Sequence, residues 1–198
     1  MIIRLFFLIL FSMHCGACSA EVSNSEVEVS LERAVTSFSN SVSSDDVSGF
    51  KNIVDSSGLL LIRQFTSGNL GGRGDELNEK FSTSLMTSDM EFPINGQTPF
   101  SVKVLFPGLP VKNVKGLSRY TFPVAACDLR FGQWSALLKE TIAPLPEAVE
   151  GNAIILNAVS GCWIYVEAQV IDDILVGGFA VFKREENEVH LVSIIELL

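Results

Sequence analysis

The C-terminal quarter of the chain lacks proline and contains four largely apolar runs separated by short polar or glycine-containing turns, and in the second run, residues 162–171, alternate residues form two different faces. Alternation with a period of two is typical of β-strands, whose successive side chains point to opposite faces. The predicted strands cover residues 152–159, 162–171, 174–183 and 188–197. Because consecutive strands with tight turns usually lie beside one another, the pattern predicts a four-stranded antiparallel meander.

Near the start of the chain, apolar positions recur every three to four residues, which is typical of amphipathic helices. A first helix is predicted near residues 27–41. Ser44, followed by two aspartates, is typical of the N-terminus of a second helix. The segment GLLLIRQF, residues 58–65, is short, evenly apolar and flanked by glycine-containing stretches, which predicts a buried strand.

The middle of the chain holds all seven prolines, from Pro93 to Pro146, which predicts an irregular, loop-rich region. The dipeptide Asn95-Gly96 lies between extended runs and is typical of a type I′ hairpin. Pro93 and Pro99 cannot donate to a strand ladder, so we expect this hairpin at a sheet edge. The run GLSRYTFPV predicts a further strand, and GQWSALLKETI predicts a short helix.

The segment SGNLGGRGDELNEKF, residues 67–81, combines glycines with an Arg-Gly-Asp tripeptide. We interpret it as a turn into a short helix that Asp75 caps. It lacks the Gly-Lys-Ser/Thr ending of a phosphate loop. Glycines before a helix N-terminus could present amide groups to an anion, so Arg73 and Gly74 form a candidate anion contact.

Together these elements predict an α+β fold: two N-terminal helices packed on a curved, mostly antiparallel sheet that ends in the four-stranded meander. The segments LERAVTSFSNSVSSDDVSGFKNIVD and GGFAVFKREENEVHLVSIIEL resemble the opening helices and closing hairpin of NTF2-like, or cystatin-like, domains. The resemblance implies this fold and carries no site motif onto numbered positions. Such folds host both enzymes and binding modules, so it implies no activity.

The N-terminus predicts export. Arg4 precedes an apolar run and then small residues, which is the pattern of a signal peptide over residues 1–20. The apolar run is too short for a membrane-spanning helix. Residues 21–30 are Ser- and Glu-rich and are expected to form an exposed leader or tether, followed by a single α+β domain over residues 31–198.

Two processing routes remain open. Small residues before Glu21 suit an ordinary signal peptidase, which would release a soluble periplasmic or secreted protein. The sequence CGAC resembles a bacterial lipobox, in which an acylated Cys18 would anchor the protein to the membrane. Cys15 departs from that pattern, since an aliphatic residue usually stands there.

The net charge of the chain narrows the class of partner. The chain has 14 basic and 23 acidic residues and a formal net charge of −9. This acidity argues against nucleic acid as a partner, because phosphate neutralisation needs a basic surface.

Loss of the leader leaves Cys127 and Cys162, and an even pair in an oxidising compartment predicts one disulfide. The alternative is two buried, unpaired thiols.

The residue inventory excludes several kinds of catalytic site. Only His190 remains after the leader, which excludes zinc sites built on two or three histidines. No EF-hand calcium motif occurs, and no G-x-S-x-G elbow supplies a serine for a triad. A thiol nucleophile paired with His190 would be silenced by the disulfide. No catalytic, cofactor-binding or metal-binding residue is therefore assigned, and no cofactor is expected.

One constellation suggests a ligand pocket. On the strand over residues 162–171, Trp163, Tyr165, Glu167 and Gln169 share one face. Two aromatic side chains, an acid and an amide on a concave sheet surface are typical of a small-ligand pocket. The alternative, which we favour, is that the helices cover the aromatic side chains as core.

The leading functional hypothesis is an exported, non-catalytic module that binds a protein, an envelope component or a small ligand. The alternative is a small pocket enzyme, of hydrolase or isomerase type, that uses a buried carboxylate such as Glu167 as a general base. A third hypothesis, a structural role at the cell envelope, gains support if Cys18 is acylated. Membrane contact is expected only through such a lipid anchor.

Overall fold

The computed structural model describes residues 24–64, 76–121, 127, 153–159, 161–171 and 174–197. All structural statements below concern these residues. The predicted signal peptide and the predicted helix GQWSALLKETI lie outside them.

Two helices open the described chain, as the helical spacing predicts. Helix α1 spans Asn24–Ser44 and thus begins within the stretch predicted as a leader. Its buried side is an apolar stripe formed by Leu31, Ala34, Val35, Phe38 and Val42. Helix α2 spans Val47–Ile53, and the Asp46 carboxylate accepts a hydrogen bond from the Gly49 backbone N–H at 2.9 Å. This cap satisfies one of the backbone donors that a helix start leaves unpaired.

The strands fall into one large sheet and one small one. They are β1 (Leu59–Gln64), β2 (Glu76–Phe81), β3 (Glu91–Phe92), β4 (Phe100–Ser101), β5 (Ser118–Thr121), β6 (Ile154–Val159), β7 (Cys162–Ile171), β8 (Ile174–Glu185) and β9 (Glu188–Leu197). The large sheet has the order β2-β1-β9-β8-β7-β6-β5. Its β1–β9 and β5–β6 pairs are parallel, and its other pairs are antiparallel. The predicted α+β class with a mostly antiparallel sheet is confirmed.

Strands β6 to β9 form the predicted C-terminal meander, with β8 extending two residues beyond its predicted end at residue 183. The buried strand predicted in GLLLIRQF is β1, in which Leu59, Leu61 and Ile62 are buried. This strand lies in parallel beside β9, so an early strand and the last strand of the chain are neighbours.

The prediction of a helix after Asp75 is wrong. Residues Glu76–Phe81 form strand β2, which pairs antiparallel with β1 along its whole length. Pairing with a buried strand outweighs the helical preference of this short segment, because intrinsic propensity is a weak local term. The anion contact assumed a helix N-terminus here, and no helix begins at Glu76. Arg73 and Gly74 themselves lie outside the described residues.

The hairpin around Asn95-Gly96 forms, but its predicted turn and position are wrong. Strands β3 and β4 pair through Phe92 and Phe100, and the longer segment 93–99 connects them. Of the dipeptide, only Gly96 has a positive φ, of 75°, whereas a type I′ turn needs a positive φ at both central positions. The hairpin forms its own two-stranded sheet rather than an edge of the large sheet.

Strand β7 is buried on both faces. On one face, the Phe38 ring of α1 lies 6.0 Å from the Tyr165 ring and 5.8 Å from the Phe182 ring, measured between centroids. On the other face, Ile164 and Phe179 belong to a second hydrophobic cluster. Successive residues of β7 therefore alternate between two clusters, as the pleat of a strand requires.

Candidate functional site

Strand β7 places the predicted pocket residues Trp163, Tyr165 and Glu167 on the face toward Phe38. Trp163 is 7% exposed and Tyr165 is 1% exposed, and both belong to the same hydrophobic cluster as Phe38. Both aromatic side chains are therefore packed in the core. The Gln169 side chain lies outside the described part of the chain.

Tyr165 and Glu167 each bury a polar atom that has no hydrogen-bond partner among the described residues. These atoms are the Tyr165 hydroxyl oxygen and Glu167 Oε2. In contrast, Glu167 Oε1 accepts a hydrogen bond from the Gly108 backbone N–H. A buried polar group without a partner costs about 1–3 kcal/mol. Two such groups on one face of β7 therefore lower the stability of the fold, which distinguishes this face from an ordinary hydrophobic core.

Burial sets the protonation of both side chains. Desolvation raises the pKa of the Glu167 carboxyl, and the hydrogen bond from Gly108 partly opposes this rise. Desolvation also raises the pKa of Tyr165, and the neighbouring Glu167 charge adds to that increase. The folded protein therefore holds a proton on Glu167 more firmly than an exposed glutamate would, and Tyr165 stays a hydrogen-bond donor.

The segment Phe106–Val111, which we call the strap, connects this pair to helix α1. At one point its Gly108 N–H binds Glu167. Further along, the Val111 backbone N–H donates to Ser39 Oγ of α1 at 2.6 Å. A Cβ at position 108 would lie 2.5 Å from Glu167 Oε1, so a larger residue there would force the Glu167 side chain to shift. The strap is thus held by polar contacts to both β7 and α1.

A polar cleft lies at the surface where the turn after α2 meets β2. Its volume is about 360 Å³, which falls within the range of small-molecule sites. The polar groups that line it include Lys51, Lys80, Ser57, Ser82 and Thr83. The cleft therefore presents several hydrogen-bond donors in a space that suits a small ligand.

Hydrogen bonds orient one wall of this cleft. Lys80 Nζ donates to Ser57 Oγ at 2.6 Å, and the Ser57 hydroxyl donates to Asp55 Oδ1. The same carboxylate oxygen accepts the Ser57 backbone N–H at 2.7 Å. Ser57 therefore links a cationic donor, Lys80, to an anionic acceptor, Asp55, along this wall.

The Asp55 carboxylate anchors this wall from a buried position. Hydrogen bonds from the Ser57 hydroxyl and backbone lower the pKa of Asp55, although desolvation acts in the opposite direction. The neighbouring Glu185 and Lys80 side chains lower it further. Asp55 therefore stays ionised and keeps Ser57 in place.

A buried ion pair lies away from the cleft and was not predicted. The Arg63 guanidinium binds the Glu196 carboxylate between β1 and β9. The available signal was a charged residue inside each of two apolar strands, since a buried charge requires a partner. The pair joins structural elements and lines neither site described above.

Among the other predicted site residues, Cys127 and Cys162 lie at disulfide distance, with Cα atoms 5.9 Å apart. His190 is partly buried in β9, with Nε2 3.4 Å from the Glu188 carboxylate. Cys18 lies outside the described residues.

Within the described ranges, no group of three or more potential metal ligands comes together. None of the described helices is long and apolar enough to cross a membrane.

No protein-family model, curated protein or solved structure significantly matches this chain.

Proposed function

We propose that this protein is an exported, non-catalytic module that binds a protein, an envelope component or a small ligand. The cleft at Ser57 and Lys80 carries the proposal, as the site for a small polar ligand. Its volume of about 360 Å³ admits such a molecule, and the Lys80 ammonium lies at its wall with a hydrogen-bonding geometry fixed by Ser57. A ligand rich in hydrogen-bond acceptors fits these donors.

Binding of simple ligands tests this assignment. We would screen the mature protein by ligand-detected NMR against sugars, amino acids, small carboxylates and phosphates. We expect at least one class to bind and Lys80→Ala to weaken that binding about tenfold, because a charge-assisted hydrogen bond is lost. Lys115→Ala is the matched control, since Lys115 is exposed and outside the cleft. Equal binding by the wild type and Lys80→Ala would place the ligand elsewhere.

Export is supported by the leader pattern and by the cysteine pair at disulfide distance. The soluble and lipid-anchored forms differ in their N-terminus. The intact mass of the protein purified from its native cell distinguishes them: cleavage before Glu21 gives an unmodified chain, and the lipoprotein route gives an acylated Cys18. A chain retaining Met1 and the whole leader would contradict both forms.

The proposed architecture is the NTF2-like arrangement of two helices over a curved sheet. The contacts of the Phe38 ring with Tyr165 and Phe182 support this placement of α1. Nuclear Overhauser effects between these rings in solution test it. Their absence from a well-folded spectrum would contradict the packing of α1 on the sheet.

A second function is favoured by one observation, the partly buried Glu167 carboxyl, which has a raised pKa and one oxygen without a partner among the described residues. These properties suit a general base in a small pocket enzyme of hydrolase or isomerase type. Turnover of a hydrolase or isomerase substrate that Glu167→Gln abolishes would favour this function over the binding module. Turnover unaffected by Glu167→Gln would exclude Glu167 as the base.

A further inference from the structure

The strap covers two polar atoms that the cleft does not use. The Tyr165 side chain is almost completely buried, and neither its hydroxyl nor Glu167 Oε2 has a partner in the described part of the chain. Because they come from positions i and i+2 of one strand, both side chains leave the sheet on the same side. A hydrogen-bond donor and a carboxylate acceptor are therefore held next to each other, each with capacity to bind another group.

Aromatic rings pack around Tyr165, which supplies the donor. The Phe106 ring centroid lies 5.8 Å from that of Tyr165 and 5.0 Å from that of Phe38. A carboxylate beside aromatic rings is the combination that recognises an ammonium group. The carboxylate accepts its N–H hydrogen bonds, and the negative ring faces attract its charge. An anionic ligand would instead be repelled by Glu167 and by the chain's net charge of −9.

The strap provides the route to these atoms. Pro107 and Gly108 are exposed to solvent, although the atoms beneath them are not. Hydrogen bonds hold the strap to both elements, from Gly108 to Glu167 of β7 and from Val111 to Ser39 of α1. A ligand ammonium can replace the Gly108 N–H as donor to the Glu167 carboxylate. Opening the strap at Gly108 therefore exchanges a hydrogen bond from a neutral N–H for one from an ammonium group, in which donor and acceptor are both charged.

We propose that Tyr165 and Glu167 form a second binding site, covered by the strap, for a small primary amine that also carries a hydroxyl group. The ammonium binds the Glu167 carboxylate, and the ligand hydroxyl accepts a hydrogen bond from Tyr165. The inference goes beyond the leading proposed function, because this site shares no residue with the cleft.

Ethanolamine and its neutral isostere 1-propanol test this site in the mature full chain. We would titrate each compound and follow the Gly108 amide and the Tyr165 ring by NMR. We expect saturable shifts with ethanolamine and at least about tenfold weaker binding of 1-propanol, because only the ammonium pairs with the carboxylate. Lys80→Ala, which alters only the cleft, should leave ethanolamine binding unchanged.

Two conservative variants keep the test independent of folding. Glu167→Gln retains an oxygen that accepts from Gly108 but removes the charge, so ethanolamine should bind about tenfold more weakly. Tyr165→Phe removes only the hydroxyl, and a smaller loss of about two- to fivefold is expected. Equal affinity for both compounds, full affinity in Glu167→Gln, or no saturable shift with ethanolamine would overturn the proposal. The last result would mean that water alone satisfies the two atoms.

Discussion

Arg63 and Glu196 form an ion pair between the parallel strands β1 and β9, with side chains only 3% and 9% exposed. The Arg63 guanidinium also donates to the Thr98 carbonyl at 2.6 Å and to the Pro99 carbonyl at 3.2 Å. One side chain therefore joins the first described strand, the last strand and the β3–β4 hairpin. Both charges are removed from water, so the desolvation cost of each one is offset only while its partner is present.

Glu196→Ala should lower the free energy of unfolding by about 3–5 kcal/mol, because it leaves the Arg63 charge buried without its partner. Replacing both residues with methionine should recover most of this loss, since no charge then remains buried. Urea denaturation measures both effects. Lys103→Ala is the control: it breaks the exposed pair with Asp45, at 2.9 Å, and should cost less than about 1 kcal/mol. Equal losses in the two single variants would contradict the buried pair.

Tyr165→Phe should raise the free energy of unfolding by about 1 kcal/mol in the absence of ligand. The substitution removes a buried hydroxyl that has no partner in the described part of the chain and leaves the ring in its contacts with Phe38 and Phe106. Thermal and urea unfolding both measure the change. Phe106→Ala, which empties the same aromatic cluster, should cost about 3–5 kcal/mol. A clear loss of stability in Tyr165→Phe would show that the hydroxyl has a stabilising partner.

Glu167 should make the protein less stable as the pH rises. Its pKa is raised above the ordinary value of 4.5, so between that value and the folded pKa the folded chain binds more protons than the unfolded chain. Stability from this group is full below about pH 4.5 and is lost as the pH rises through the folded pKa. Glu167→Gln removes the dependence, so its stability relative to wild type should increase with pH.

Elements with a strong local pattern were predicted well from the sequence. The helical stripe of α1, the capped start of α2 and the alternating meander are all local signals. Strand β2 was predicted as a helix, because ELNEKF contains good helix formers and its pairing with β1 is not a local property. The parallel pairing of β1 with β9 depends on contacts across most of the chain, and no sequence pattern indicated it.

The cleft could not be predicted, because its residues meet only through the pairing of β2 with β1. Ser57 and Lys80 are brought together when β2 folds back along β1, and a helix at residues 76–81 would separate them. The face shared by Tyr165 and Glu167 was predicted from strand alternation. The strap that covers this face was not predicted, because Gly108 lies in the proline-rich middle of the chain, where no periodic pattern indicates the structure.

Loss of the cysteine pair should destabilise the protein. Cys127 and Cys162 are separated by 35 positions, and a cross-link over a loop of this length contributes about 2–4 kcal/mol by restricting the unfolded chain. Cys127→Ser should show this loss in urea denaturation. Reduction of the wild type with dithiothreitol should lower its stability to that of the variant. Alkylation of both cysteines in the denatured, unreduced wild type would contradict the disulfide.

Asp55 should stabilise the fold at neutral pH and lose this effect in acid. Hydrogen bonds from Ser57 lower its pKa below the ordinary value of 3.8. The unfolded chain therefore binds the proton first as the pH falls, and the contribution present above about pH 4 disappears as the pH drops through the folded pKa. Asp55→Asn should be destabilised at pH 7 and should approach the wild type as the pH falls through the folded pKa of Asp55. Ser57→Ala removes the side-chain hydrogen bond that lowers the Asp55 pKa most. It should therefore reduce the pH range over which the Asp55 carboxylate stabilises the fold. An Asp55→Asn variant whose deficit is constant from neutral to acidic pH would show that the carboxylate contributes through packing rather than through its charge.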